Sequence, residues 1–517
     1  MEVQQPRRLA VTWELPAWLD AWATAGGLAL LLAASAVVRT RALGSGFWID
    51  EGISVGIASH SPLAIPALLR QDGSPPLYYE LLHFWMGVAG RSETATHALS
   101  LLFSLLTVPA GWWLGRSLFS ASAGWASAAL FALNPLLSSF AQETRMYSLV
   151  ALLTLLAAGG FVGAFVMRRP GYVWLLAAAL TALVYAHNWG LFFAAVAAVA
   201  WLALLAFGPD RRRLAIDGAI GLGLPALLLL PWLPSLLFQA AHTGAPWSAT
   251  PTLAALPKTL NKTLAGPSPK TALLVAAATA AVMAARAPRG RWLRAGAVLS
   301  LLAGGTLMLA WVYSQHSSVW ASRYLTTLLG PLLLLGGAAI ARAGIAGLAA
   351  LAVVAVSWWQ LPPYHSVALK SNVERVAART ARHLHPGDLV LVIQPESTPV
   401  VRYYLGPRLR YATLLGRVHD PGVMDWRDGL QRLRAAKPVA VVSLVNHLRP
   451  GRRIALVRPA SWAGGQHAPW TRLLKRKGRT LARELAGDHR IRQIAAIPPG
   501  ERGSRSNVRA VVYVRRA

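Results

Sequence analysis

The sequence predicts a polytopic α-helical membrane protein that ends in a small α/β domain. Three observations carry that expectation. Hydrophobic residues make up 55% of the 517 and charged residues only 14%. The apolar residues gather into runs of Leu, Ala, Val and Gly that recur from about Trp22 to Trp359. Beyond that point the runs stop: residues 360–517 hold 29 of the 51 Lys and Arg and 9 of the 20 Asp and Glu.

A hydrocarbon layer of about 30 Å is crossed by roughly 20 helical residues. Inside lipid the backbone polar groups find no water, so each spanning run must be a helix. The runs place about eleven membrane helices, at 22–39, 97–115, 123–140, 146–166, 172–186, 189–207, 215–238, 271–285, 295–313, 323–341 and 344–359. The first run continues straight into Arg39 and Arg41 without a small-residue cleavage site, which reads as a membrane helix rather than a cleaved leader. Three regions follow: an N-terminal segment 1–21, a membrane domain 22–359 and a basic soluble domain 360–517.

Orientation follows from the short loops. Arg7–Arg8, Arg116, Arg168–Arg169, Arg211–Arg213, the run 286–294 and Arg342 fall in alternate loops, and such clusters stay on the cytoplasmic side. The outer side of the plasma membrane then receives the long loop 40–96, the turns near 141–145, 187–188 and 314–322, the loop 239–270 and the C-terminal domain. Asp50, Glu51, Asp72, Glu80, Glu93 and Glu143 all fall on that side. Acids that persist near lipid usually mark function.

In the C-terminal region, Asn372–Leu384 reads as a helix, Pro386–Gly387 as a turn, and 388–393, 438–444 and 508–514 as strands. No glycine-rich phosphate loop joins a strand to a helix, so no nucleotide or redox cofactor is expected. The chain has no cysteine, which excludes disulfides and thiolate metal sites.

Five clusters can carry chemistry. Asp50-Glu51 follows the first span. Adjacent carboxylates can take a proton from an attacking hydroxyl or hold a divalent cation such as Mg or Mn; they can equally favour the N-terminus of a short helix. Ser74-Pro75-Pro76-Leu77-Tyr78-Tyr79 opens a helix too short to span, with Leu77, Leu81, Phe84 and Trp85 on one face and Tyr79, Glu80 and His83 on another, as suits a helix lying in the interface. Gln142-Glu143-Thr144-Arg145-Met146-Tyr147 crowds polar groups into one turn, as a site or as a Glu143–Arg145 ion pair between helices. His187, beside Asn188, can bind a metal, shuttle a proton, contact a phosphate or serve as an interfacial hydrogen-bonding residue. Arg323-Tyr324 opens a span, and its guanidinium suits phosphate oxygens or lipid headgroups. Lys258, Lys262 and Lys270 offer further charge for the same anion.

In their order and spacing, Asp50-Glu51, the Ser-Pro-Pro-Leu-Tyr-Tyr segment and Gln-Glu-Thr-Arg-Met-Tyr-Ser-Leu resemble the GT-C superfamily of polyprenol-phosphate-dependent glycosyltransferases. The nearest branch is the family 39-like group, related to protein mannosyltransferases and aminoarabinose transferases. The resemblance covers roughly residues 20–345. Ser74 stands where the common form has His, and Thr144 where it has Ala. The resemblance implies Asp50 as catalytic base, with Glu51 assisting or binding a cation. It implies that Glu143 and Arg145 line the same cavity, that Arg323-Tyr324 lies near the donor phosphate, and that His187 matches a recurring His. Tyr78, Tyr79 and Tyr147 join these as substrate-binding candidates. The function so implied is transfer of a sugar, with inversion, from a polyprenyl-phosphate donor to an envelope glycan, lipid or protein.

Two rivals remain at this stage. A ligase or polymerase of lipid-linked glycans shares the leaving group. A transporter or flippase would place its ionisable groups mid-membrane. The basic C-terminal domain suits an acidic partner or anionic headgroups, and no nucleic-acid partner is expected.

Overall fold

The computed structural model describes residues 17–208, 210–285, 290–317, 319–360, 367–462, 467–501 and 503–516. Most of the expected N-terminal segment 1–21 lies outside them. Eight helices among the described residues are long and apolar enough to cross a membrane: Ala21–Thr40, Glu93–Leu118, Tyr147–Val166, Trp189–Phe207, Arg211–His242, Pro267–Ala285, Arg291–His316 and Ser322–Arg342. Ala121–Leu133, Gly171–Ala186 and Gly344–Trp359 are apolar but shorter. Each run read from the sequence coincides with one of these helices. The protein is a multi-pass membrane protein with a C-terminal sheet domain.

Tyr147–Val166 sits at the centre, 94% of its apolar window being buried, against 6% for the first helix. Small residues let its neighbours approach, as lipid-embedded helices require. A Cβ at Gly330 would press on the backbone of Leu155, and one at Gly337 on Ser127. The first helix, α1 (Ala17–Thr40), is tied to this core by Arg39. That side chain is fully buried. It donates to the carbonyls of Ser104 at 2.7 Å and Phe131 at 2.5 Å. Residue 135 is a proline, so Phe131 lacks the amide that would continue its helix. A cation at that helix C-terminus also suits the dipole.

The loop after α1 folds into three short helices, α2 (Ile49–Ala58), α3 (Ile65–Asp72) and α4 (Leu77–Ala89), and then enters the long helix α5 (Glu93–Leu118). Gly73 ends α3 at φ 95°, the left-handed cap that glycine accepts most easily. Helix α4 forms as expected, but its faces differ from the expected pattern. Tyr78, Tyr79, Leu82 and Met86 are buried, whereas Phe84 and Val88 are exposed, 62% and 91%. The tyrosines pack inward because α5 and the turn 141–146 cover that side.

The C-terminal domain is a six-stranded sheet in the order β3-β2-β1-β4-β6-β5. Its strands are β1 (Leu389–Val392), β2 (Arg410–Thr413), β3 (Gly416–Val418), β4 (Arg453–Pro459), β5 (Ile491–Ile497) and β6 (Val508–Arg515). β1 runs parallel to β2 and β4, and the outer pairs are antiparallel. The strand expected at 438–444 is instead a helix, Pro438–Asn446. Pro438 pre-sets its first turn, and Val441 and Val445, one turn apart, are its buried residues.

The domain sits on the short helices of the loop 40–96. Gly52 and Gly56 of α2 meet Val400 and Gly422 with no room for a Cβ: one at Gly56 would collide with the Gly422 carbonyl. The hydroxyl of Tyr404 donates to Glu93 at 2.9 Å and lies 2.7 Å from the amide of Phe47; the Trp426 amide donates to Gln71 O at 3.0 Å. Gly56→Ala is expected to destabilise this seating by about 1–3 kcal/mol. The thermal unfolding midpoint in detergent should fall, and proteolysis between the two domains should quicken. Gly87→Ala, where a Cβ meets nothing within 4 Å, is the control that should leave both unchanged.

Candidate active site

Consecutive residues of a helix point about 100° apart, so two adjacent carboxylates in a first turn cannot face the same way. Trp48 is the extended residue before α2, and Asp50 and Glu51 occupy its first turn. Asp50 faces a cavity of about 780 Å³ between the membrane helices and the C-terminal domain. Glu51 turns away into the interior and is fully buried.

Glu51 lies within 2.6 Å of His97 Nε2 and 2.8 Å of Lys370 Nζ, and it accepts the Thr144 amide at 2.8 Å and the Trp48 amide at 3.1 Å. Lys370 also donates to Gln142 O at 2.7 Å. Burial alone would raise the Glu51 carboxyl, but the charges and hydrogen bonds of Lys370 and His97 hold it down at about 2. The expectation that Glu51 shares catalysis or a cation with Asp50 therefore does not match its placement. Both its oxygens are taken, and they face away from the cavity. The Asp50–Glu51 pair does not fit a divalent cation. Among the described residues, no group of three or more His, Asp or Glu is gathered to hold a metal.

Asp50 Oδ2 lies 3.2 Å from Arg323 Nε. The Arg323 guanidinium is surrounded by rings, 4.6 Å from the centroid of Trp247, 5.6 Å from Trp48 and 5.5 Å from Tyr324. Such faces hold a cation while leaving its N–H groups for an anion. Arg145 approaches from the other side. Its Nη1 donates to Ser54 Oγ at 3.0 Å, Tyr79 OH at 3.2 Å and Asp50 O at 3.4 Å. Burial opposes its charge, but Tyr79, Tyr147, Asp50 and Asp72 together raise it further above its ordinary value.

His187 is buried and lines the cavity. Its Nδ1 accepts the Trp189 amide at 3.1 Å, which leaves Nε2 to carry the proton of the neutral ring. Burial, and then the charges of Arg145 and Arg323, push its pKa down to about 3. It is thus a neutral hydrogen-bond donor, packed edge-on against Tyr324 at 4.7 Å.

Of the residues singled out from sequence, Asp50, Arg145, His187, Arg323 and Tyr324 line one cavity. Tyr79 sits just behind Arg145. Tyr147 packs its ring on Phe140 at 4.8 Å. Tyr78 turns to Ser100, 3.2 Å away. Glu143 is buried, and the expected Glu143–Arg145 ion pair does not form. Glu143 takes both arms of Arg505, at 2.6 and 2.5 Å, and so aims that C-terminal arginine at the cavity. Lys258, Lys262 and Lys270 do not line it.

Three further residues matter to the cavity, and two of them have no mark in the sequence. Asp72, the last residue of α3, also lines the cavity. Burial raises its carboxyl, and the nearby charge of Asp50 adds to this. Its signal was its place among the acids of the loop 40–96, two residues before Ser74. Lys370 and Arg505 gave none, because only the tertiary fold brings them near α2.

No protein-family model matches the sequence, and no curated protein matches it significantly. Solved structures do match in fold. ArnT from Cupriavidus metallidurans in the apo state superposes with a TM-score of 0.62 at 14% identity, covering 96% of this chain and 98% of that one. The same protein bound to undecaprenyl phosphate gives 0.60 at 16%, covering 95% and 98%. The Archaeoglobus fulgidus oligosaccharyltransferase, solved with Zn and sulfate, gives 0.55 at 12%, covering 87% and 70%. The fold of this chain is the fold of these proteins, and for ArnT the likeness covers nearly the whole of both chains.

Removing one partner of a buried ion pair typically costs about 3–5 kcal/mol. Lys370→Met should therefore lower the unfolding midpoint sharply, and adding Glu51→Gln should recover part of the loss. Because the Glu51 pKa is depressed, its contribution is complete above the ordinary carboxyl range, near pH 4.3, and is lost as pH falls towards 2. In Glu51→Gln the acid limb of the stability profile should flatten. A wild-type profile in Glu51→Gln would assign the limb to other groups.

Proposed function

We propose that this protein is a membrane glycosyltransferase that moves a sugar from a polyprenyl-phosphate donor to an acceptor hydroxyl, at the extracytoplasmic face of the plasma membrane. One observation carries the proposal: in a cavity where the membrane helices meet the soluble domain, the Asp50 carboxylate lies beside an arginine caged by rings, Arg323. A carboxylate can take a proton, and a guanidinium with free edges can take a phosphate. The GT-C fold and the undecaprenyl phosphate bound by ArnT support the same reading.

In this mechanism the donor phosphate contacts Arg323 and the Nε2–H of His187. Charge–charge competition for Arg323 then loosens its hold on Asp50 Oδ2. The acceptor oxygen attacks the anomeric carbon from the face opposite the phosphate. The new C–O bond forms as the bond to the phosphate oxygen breaks. The phosphate departs with the electron pair, stabilised by Arg323, and the acceptor proton passes to Asp50. A single displacement inverts the anomeric centre. Arg145 does not leave Asp50 during this step: it holds the backbone of α2 and the Ser54 hydroxyl, which fixes the angle of the carboxylate. The sugar transferred and its acceptor are set by the rest of the cavity wall.

Purified protein in lipid, given a panel of polyprenyl-phosphate sugars and an acceptor extract, should release polyprenyl phosphate. Asp50→Asn should retain the fold and donor affinity but slow release by about 10²–10⁴-fold, the range of general-base catalysis. Undiminished release from Asp50→Asn would remove Asp50 from the mechanism. No release from any donor by the folded wild type would remove the reading itself and favour a transporter of lipid-linked sugars.

A further inference from the structure

The cavity has a second wall, which the donor chemistry does not use. It comes from the C-terminal domain. Glu396 lies in the single turn that leads into the helix Thr398–Leu405, the element that packs against α2. Its side chain is buried, 7% exposed, yet it lines the cavity. One oxygen, Oε1, accepts from Trp470 Nε1 at 3.1 Å and Gln394 Nε2 at 2.9 Å. The other, Oε2, has no hydrogen-bond partner among the described residues. A buried polar atom left unpaired is costly, and a site that tolerates it usually meets a partner that arrives with the ligand.

The surroundings say what that partner is. Gln394, Trp426, Trp462 and Thr471 line the same wall. Trp426 packs on Trp470 at 5.2 Å between ring centroids, which fixes both rings beside Glu396. Burial raises the Glu396 carboxyl against the hydrogen bonds it accepts, and Asp50 lines the same cavity. A carboxyl oxygen set among indole rings, with an amide and a hydroxyl alongside, suits a ligand with several hydroxyls around a flat apolar face. That is a sugar ring. A peptide would instead present backbone amides and carbonyls in regular alternation, and this wall offers no strand edge to pair with them. Among the described residues the two edge strands of the sheet, β3 and β5, contribute nothing to the lining.

We infer that Glu396 and the tryptophan wall of the C-terminal domain form the acceptor subsite, and that the acceptor is a carbohydrate whose hydroxyl donates to Glu396 Oε2. This rests on the proposed transfer reaction and adds the class of the acceptor to it. Glu396 binds and orients; the proton of the attacking hydroxyl still goes to Asp50.

The test separates acceptor from donor. The wild type, Glu396→Gln and Glu396→Ala are assayed for polyprenyl phosphate release with short neutral oligosaccharides, and in parallel with serine- and threonine-containing peptides. Donor affinity is measured separately with polyprenyl phosphate itself. With oligosaccharides the acceptor KM is expected to rise by about tenfold or more in Glu396→Ala, and less in the isosteric Gln variant, which can still form a hydrogen bond. Donor affinity should hold. The same acceptor KM in all three proteins overturns the inference, as does turnover with peptides alone. A variant that loses donor affinity as well points to a structural role for Glu396, which also overturns it. Should the wild type release no polyprenyl phosphate from any donor, the proposed reaction fails before Glu396 is in question. Oligosaccharide binding to the wild type, followed by saturation-transfer NMR and lost in Glu396→Gln, would then still show the subsite.

Discussion

A carboxylate shut off from water must be neutralised where it sits, and Glu51 is so placed at the junction of everything else. His97 comes from the helix that follows the loop 40–96, the Thr144 amide from the turn before the central helix, and Lys370 from the start of the soluble domain. One buried anion thus collects three separate parts of the chain. Because Asp50 is its neighbour on a rigid helix turn, fixing Glu51 also fixes the direction of Asp50. The Asp50 carboxylate itself then needs little anchoring: among the described residues its ion-pair partner is Arg323 alone.

The membrane portion was legible because hydropathy acts over whole segments. Every run of Leu and Ala near twenty residues became a helix, and the short apolar stretch after the double proline became one too. Asp50 was legible for a related reason: an acid just beyond a span stands out against the lipid. What could not be read were partnerships across long stretches of sequence. Lys370 reaches Glu51 across 319 positions and Arg505 reaches Glu143 across 362, and neither cation has a local pattern to mark it. The pairing expected within one turn, Glu143 with Arg145, lost to those distant partners because Arg145 is drawn to Ser54, Tyr79 and the backbone of Asp50.

The soluble domain was legible as a class but not element by element. Val-rich sequence at 438–444 looked like a strand by β-branching, yet the proline before it and the packing of Val441 and Val445 favoured a helix. The true central strand, β4, hides its apolar middle between Arg453 and Arg458. Its neighbours on the sheet bury that middle, and no short window of sequence contains them. Glu396 was missed on similar grounds, since an isolated acid between two prolines reads as loop until the fold turns it inward.

The seat between α2 and the domain has a consequence for how such a protein can diverge. Gly56 touches the domain through the main chain of Gly422, and Gly52 through the backbone and Cβ of Val400, with no long side chains interlocked at either point. A joint of that kind is indifferent to most sequence drift on the opposing surface, provided one small residue stays at the point of closest approach. Over generations the wall that the soluble domain gives the cavity can be rewritten without disturbing the membrane half, so that new specificities would arise by exchange of one module against an inherited chassis.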